Sequence, residues 1–214
     1  MAPAHHVTGA PAVIDWAIAG LPLPGEVESG DLHLVKMLST GALLAVVDGL
    51  GHGAGAAAAA RAAVAVLDRH AQDSLVALVE RCHRALVGTR GAVMSLAYFD
   101  RRAGTMTWLG VGNVEGILLF GDPNARPARA SLVTRGGTVG RDIPPLRTVV
   151  IPVSAGDMLL FASDGIKSGF ADGASGGAPP QQIADHVLAN YAKRTDDALV
   201  LVARYHGDDT GEVR

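Results

Sequence analysis

The chain has 214 residues, of which 49% are hydrophobic, 18% charged and only 4% aromatic, with a formal net charge of −3, a pI near 6.2 and a mean hydropathy of +0.26. That is enough apolar material for a substantial core, which excludes disorder as a description of the whole. The charge leaves no electrostatic footprint for nucleic acid or an anionic membrane, and a single cysteine, Cys82, forbids an intramolecular disulfide or a thiolate zinc cluster.

Residues 1–11 read as a flexible tail, without the basic and apolar regions of a signal peptide. Val13–Leu21 alternates as a first strand and closes at Pro22 and Pro24. After the loop 25–30, Asp31–Met37 alternates as a half-buried strand. Gly41–Val47 is a continuous apolar run, the mark of a strand covered on both faces, and it stops at Asp48-Gly49-Leu50-Gly51-His52-Gly53. Residues 55–70 are alanine-rich and helical, and 72–87 form a second, amphipathic helix through Leu75, Leu78, Val79, Cys82 and Leu86. Ala92–Asp100 and Thr105–Gly110 form a hairpin about Arg101-Arg102-Ala103-Gly104, and Ile117–Phe120 adds a strand. The Arg-, Pro- and Gly-rich stretch 121–148 holds short strands at most. Val149–Val153 and Met158–Ala162 are strands, a helix spans about 181–193, and Ala198–Tyr205 is the last strand. Regular βα alternation is missing, so a doubly wound sheet is disfavoured. The expectation is an α+β fold in four layers, α-β-β-α, with two stacked, mainly antiparallel sheets flanked by helices. A single domain over 12–206 and a second tail over 207–214 complete it.

The informative feature is how the buried strands end. Leu43–Val47 runs into Asp48-Gly49, and Leu159–Ser163 runs into Asp164-Gly165. A carboxylate at the end of an apolar strand is costly unless it is paired or ligates a cation, and a following glycine allows a sharp turn that exposes its carbonyl as a further hard ligand. Asp196-Asp197 precede the last strand, and Asp31 opens another. Oxygen-only donors of this kind select Mg²⁺ or Mn²⁺ over zinc. Asp-Gly is also a common turn dipeptide, so the residues alone leave turns and a metal site both open. The Gly49–Gly55 stretch imitates a dinucleotide loop, but Asp48 would repel pyrophosphate, no compact βαβ unit follows, and a Walker lysine is missing.

Ser29-Gly30-Asp31, Val47-Asp48-Gly49-Leu50-Gly51-His52-Gly53, Arg90-Gly91-Ala92, Gly110-Val111-Gly112-Asn113, Ser163-Asp164-Gly165 and Asp196-Asp197 resemble, in this order, the metal-dependent type 2C (PPM) protein phosphatases. The resemblance is to their SpoIIE branch and its RsbX-type stressosome phosphatases, and it covers about residues 25–205. It implies two Mn²⁺ or Mg²⁺ ions. Asp48 would bridge both, the Gly49 carbonyl would add a ligand, Asp164 and Asp196 would bind the second ion, and Asp31 would contribute through water or a further metal. Asp197 is the lesser choice. The implied reaction is in-line attack on phosphoserine or phosphothreonine by a water activated between the ions, with Asp48, Asp164 and Asp196 as the catalytic set. The implied substrate is a phosphorylated STAS-domain regulator of a stressosome or partner-switching pathway, handled by a cytoplasmic monomer without nucleic-acid or membrane partners. The alternative is a catalytically silent module that sequesters a partner. His52 reads as a loop residue, Cys82 as core, and Arg90, Arg135 and Arg141 as possible contacts for substrate.

Overall fold

The computed structural model describes residues 12–172 and 177–207, so the expected tails, Gly207 apart, and His5 and His6 lie outside the described residues. Among these the chain runs β1 (Ile14–Leu21), β2 (Asp31–Leu38), β3 (Gly41–Gly49), α1 (Ala54–Arg69), α2 (Leu75–Leu86), β4 (Ala92–Asp100) and β5 (Thr105–Val111). It continues through β6 (Glu115–Leu119), β7 (Arg129–Leu132), β8 (Val149–Pro152), β9 (Met158–Ala162), α3 (Pro180–Tyr191) and β10 (Ala198–Tyr205). The strands form two five-stranded sheets, β1-β10-β9-β6-β7 and β2-β3-β4-β5-β8, and every pairing between these strands is antiparallel.

Side-chain alternation explains why the central strands read as unbroken apolar runs. Along β3, Ala42, Leu44 and Val46 enter the space between the sheets, while Leu43, Ala45 and Val47 pack against the α1–α2 layer. β10 repeats the arrangement, with Leu199, Leu201, Ala203 and Tyr205 between the sheets and Ala198, Val200 and Val202 against α3. A strand covered on both faces has no solvent face on which to place polar residues. The three apolar spaces are those of an α-β-β-α sandwich, as expected. The buried rings Phe99, Trp108, Phe161 and Tyr205 lie between the sheets. The space under α1 and α2 holds no buried ring among the described residues: α1 presents Ala59, Ala60, Ala63 and Leu67 to its sheet, and small side chains let helix and sheet backbones approach closely.

Several boundaries differ from the sequence reading. β3 continues two residues past Val47, because Asp48 and Gly49 still pair with Val93 and Ala92. The second helix begins at Leu75 rather than 72, since Ser74 caps it by accepting a hydrogen bond from the Ala77 N–H at 3.3 Å, as serine does at helix starts. The third helix stops at Tyr191, and Ala192, extended, forms an isolated bridge with Ile166.

Candidate active site

The phase of the strands decides where the acidic residues stand. Asp48 continues the Ala42–Leu44–Val46 face of β3, and its direct cross-strand partner is Asp31, the first residue of β2. Directly opposed residues share a face with Cβ atoms about 5 Å apart, so both carboxylates enter the end of the inter-sheet space. From the other sheet, Ser163 follows Leu159 and Phe161 on the same face, and its hydroxyl donates to Asp31 Oδ2 at 2.6 Å while accepting from the Leu199 N–H at 2.9 Å. Asp48, Asp164 and Asp196 line one cleft of about 430 Å³ at this end of the sandwich, together with Asn113, Gly112 and the Gly136–Thr138 segment.

The sequence reading has the glycines after Asp48 and Asp164 making sharp turns. Asp164-Gly165 does so, closed by the Ile166 N–H donating to the Ser163 carbonyl at 3.1 Å, whereas Gly49 is still part of β3. Neither glycine has a positive φ. A Cβ on Gly49 would lie 2.1 Å from the Ala56 carbonyl oxygen of α1, and one on Gly165 would lie 1.9 Å from the Asp197 carbonyl oxygen. Both positions exclude side chains because another backbone segment passes against them.

Like charges crowd this end. Burial pushes the Asp48 carboxyl up to about 9, and repulsion from Asp31, Asp164, Asp196 and Asp197 adds to the effect. Asp31 rises to about 7, again chiefly by burial, against the lowering influence of the Ser163 hydroxyl. Asp196 is also raised, by burial first and then by Asp164 and Asp197. These acids favour binding of a positive charge, and their donors are all oxygen, which fits a hard divalent cation. Among the described residues no three His, Cys, Asp or Glu side chains form a ready-made cation cage. Asp31 is turned to Ser163, and Asp164 accepts a hydrogen bond from Asn113 Nδ2 at 2.8 Å.

The model of the family Stage II sporulation protein E (SpoIIE) matches residues 39–206. The chain belongs to the SpoIIE family. A sequence relative is the Phosphoserine phosphatase RsbX of Bacillus subtilis (strain 168), 31% identical over 89 residues, which are 42% of this chain. The aligned stretch takes in 45% of that relative, less than half its length. Among solved structures, one from work on "the bacterial stressosome: a modular system that has been adapted to control secondary messenger signaling" superposes with TM-score 0.82 and 33% identity, covering 89% of this chain and 99% of that one. RsbX in complex with magnesium superposes with TM-score 0.79 and 22% identity, over 90% and 95% of the two chains. The fold is thus that of the PP2C-type (PPM) phosphatases, as the ordered motifs imply.

With the family in place, the two neighbouring aspartates separate. Asp196 lines the cleft. Asp197 is 3% exposed, and its two oxygens accept from the Leu23 N–H and the Gly30 N–H, each at 2.8 Å. It ties the loop before β2 to the start of β10, and thereby holds Asp31 in place. Three contributors escaped the sequence reading. Ser163 and Asn113 lie inside the quoted motifs but were given no role, and Lys193, whose Nζ donates to the Asp164 carbonyl, carried no sequence signal. His52 is an exposed loop residue whose Nδ1 lies 2.7 Å from Glu26 Oε1. Cys82 is buried beneath α1, and burial pushes its thiol up to about 12. Arg90 donates from Nη1 to the His52 carbonyl at 3.0 Å, beside Gly51 of the cleft. Arg141 lies in the turn that Thr138 and Asp142 close, and Arg135 precedes Gly136 of the cleft.

Proposed function

We propose that this chain is a Mn²⁺- or Mg²⁺-dependent protein serine/threonine phosphatase. Its substrate is a phosphorylated signalling protein, of the STAS-domain class, in a stressosome or partner-switching pathway. The observation that carries the reading is the convergence of Asp31 and Asp48 from one sheet with Asp164 and Asp196 from the other, at the end of an otherwise apolar sandwich. Nothing in the packing requires four carboxylates there, and their mutual repulsion costs stability unless a cation offsets it. The RsbX and stressosome relatives support the substrate class.

Asp48, Asp164 and Asp196, with the Gly49 carbonyl, would hold two ions, and Asp31 would act from behind Asp48. Bound divalent cations supply Lewis acidity, which neutralises charge on phosphoryl oxygens and lowers the pKa of water. The chain's own residues do the positioning. The Ser163 hydroxyl fixes the Asp31 carboxylate, Asn113 orients Asp164, and Asp197 fixes the backbone from which Asp31 projects. The test is hydrolysis of para-nitrophenyl phosphate and of a phosphorylated STAS domain, with and without Mn²⁺. Turnover should require the metal and fall by at least a thousandfold in Asp48→Asn. Metal-independent turnover, or a fully active Asp48→Asn, overturns the reading, and a stable complex with the STAS domain without turnover would indicate a sequestering module instead.

A further inference from the structure

Strand β8 covers the edge of β5 only as far as Trp108, which is paired with Val149. Beyond it, Arg135 takes over the edge, donating its N–H to the Gly110 carbonyl and accepting from the Gly112 N–H at 2.7 Å. Between these two coverings the flank opens into a recess of about 420 Å³, whose lining includes Val133, Leu146, Val149, Arg135, Arg147 and Trp108. Three features set it apart. Neither the Arg135 nor the Arg147 guanidinium has a hydrogen-bond or ion-pair partner among the described residues, whereas Arg61, Arg81 and Arg129 are all paired with carboxylates. No acidic side chain lines the recess. Trp108 is only 3% exposed, yet its indole Nε1–H has no hydrogen-bond partner among the described residues. Around the recess, Val133, Val149 and Val150 are exposed, an apolar rim of the kind that marks contact surfaces.

The recess adjoins the cleft. Gly110 and Arg135 line the first, and Gly112 and Gly136 line the second. Two residues of extended chain span about 7 Å. Resting on the phosphatase reading, we infer that the recess docks a segment of the phosphoprotein substrate, in which an acidic residue flanked by an apolar one lies two to three positions from the phosphorylated serine or threonine. The two arginines meet the carboxylate, the valine rim meets its apolar neighbour, and Trp108 stands beneath as a buried wall of the recess. The docking side is thereby opposite in charge to the acidic cleft, which separates recognition of the protein from recognition of its phosphate.

The experiment compares phosphoserine peptides that differ only in Glu, Gln or Lys three residues from the phosphoserine, on either side, beside a leucine. The full chain with Mn²⁺ should favour one Glu peptide over its Gln counterpart by about fivefold in kcat/KM, the size of two screened charge contacts. Arg147→Glu should reverse the preference towards Lys while changing turnover of para-nitrophenyl phosphate far less. Arg147 is exposed and has no hydrogen-bond or ion-pair partner among the described residues, so this variant folds. Equal kcat/KM for the three peptides, with para-nitrophenyl phosphate still hydrolysed, overturns the inference. A second readout does not need turnover. In Trp16→Phe, Trp108 is the remaining tryptophan, and its emission should change saturably with the unphosphorylated Glu peptide and stay constant when Arg147→Glu is added. Failure of hydrolysis with this binding intact counts against the phosphatase reading alone, and constant emission in Trp16→Phe itself overturns the docking site.

Discussion

Removing one carboxylate from the Asp196-Asp197 pair should have opposite consequences depending on which is removed. Asp197→Ala deletes the acceptor for two backbone N–H groups, those of Leu23 and Gly30, each held at 2.8 Å. Hydrogen bonds to a charged acceptor contribute roughly 1.5–3 kcal/mol each, so two give roughly 3–6 kcal/mol. Relief of the repulsion that Asp197 exerts on Asp31 and Asp48 returns part of this, leaving a net loss of about 3 kcal/mol. For a chain of this length, each kcal/mol shifts the melting temperature by about 2–4 °C, so the variant should melt about 6–12 °C lower. Asp196→Ala gives up only a local bond from the Asp197 N–H at 2.9 Å and relieves a carboxyl whose ionisation its surroundings oppose. It should melt within about 2 °C of the wild type and lose metal-dependent turnover. Circular dichroism melts in EDTA at pH 7.5, with phosphatase assays at 15 °C, read both quantities. The reasoning fails if Asp197→Ala melts with the wild type, or if Asp196→Ala melts as low as Asp197→Ala.

Two further outcomes follow from the same geometry. The folded protein holds protons on Asp31 and Asp48 that the unfolded chain releases near the ordinary value of 3.8. Their stabilising effect is therefore complete below that value and lost as pH rises through about 7 and then about 9. In EDTA the melting temperature should fall from pH 5 to pH 9, and saturating Mg²⁺ should flatten the profile; a profile unchanged by Mg²⁺ contradicts the assignment. Gly165→Ala places a methyl group where the Asp197 carbonyl passes, so it should cost about 1–3 kcal/mol in urea unfolding and weaken Mn²⁺ binding measured by calorimetry.

The layered fold was legible because two-faced burial writes itself as unbroken apolar runs, and β3 and β10 both carry one. The acidic residues were legible for the same reason, standing where such runs end. What alternation could not convey was partnership. It places Asp31 and Ser163 on inward faces, but that they meet depends on how two sheets stack across a separation of 132 residues. The motif resemblance favoured Asp196 over Asp197 as a ligand, but the role of Asp197 was not legible, since it lies in two backbone amides far upstream. The purpose of Gly49 was misread for a similar reason, because the Ala56 carbonyl that excludes its side chain belongs to a helix whose docking the local pattern does not show.

The clamp of Asp197 on Leu23 and Gly30 also has a consequence in time. In synthesis Asp31 and Asp48 come before the groups that seat them, since Ser163, Asp197 and the Leu199 amide follow Asp48 by more than 110 residues. β10 must then slot between β1 and β9, which stand on either side of it. A chain lacking this strand presents crowded carboxylates without their anchors, so the acidic cleft can take its final form only once β10 has been made and inserted.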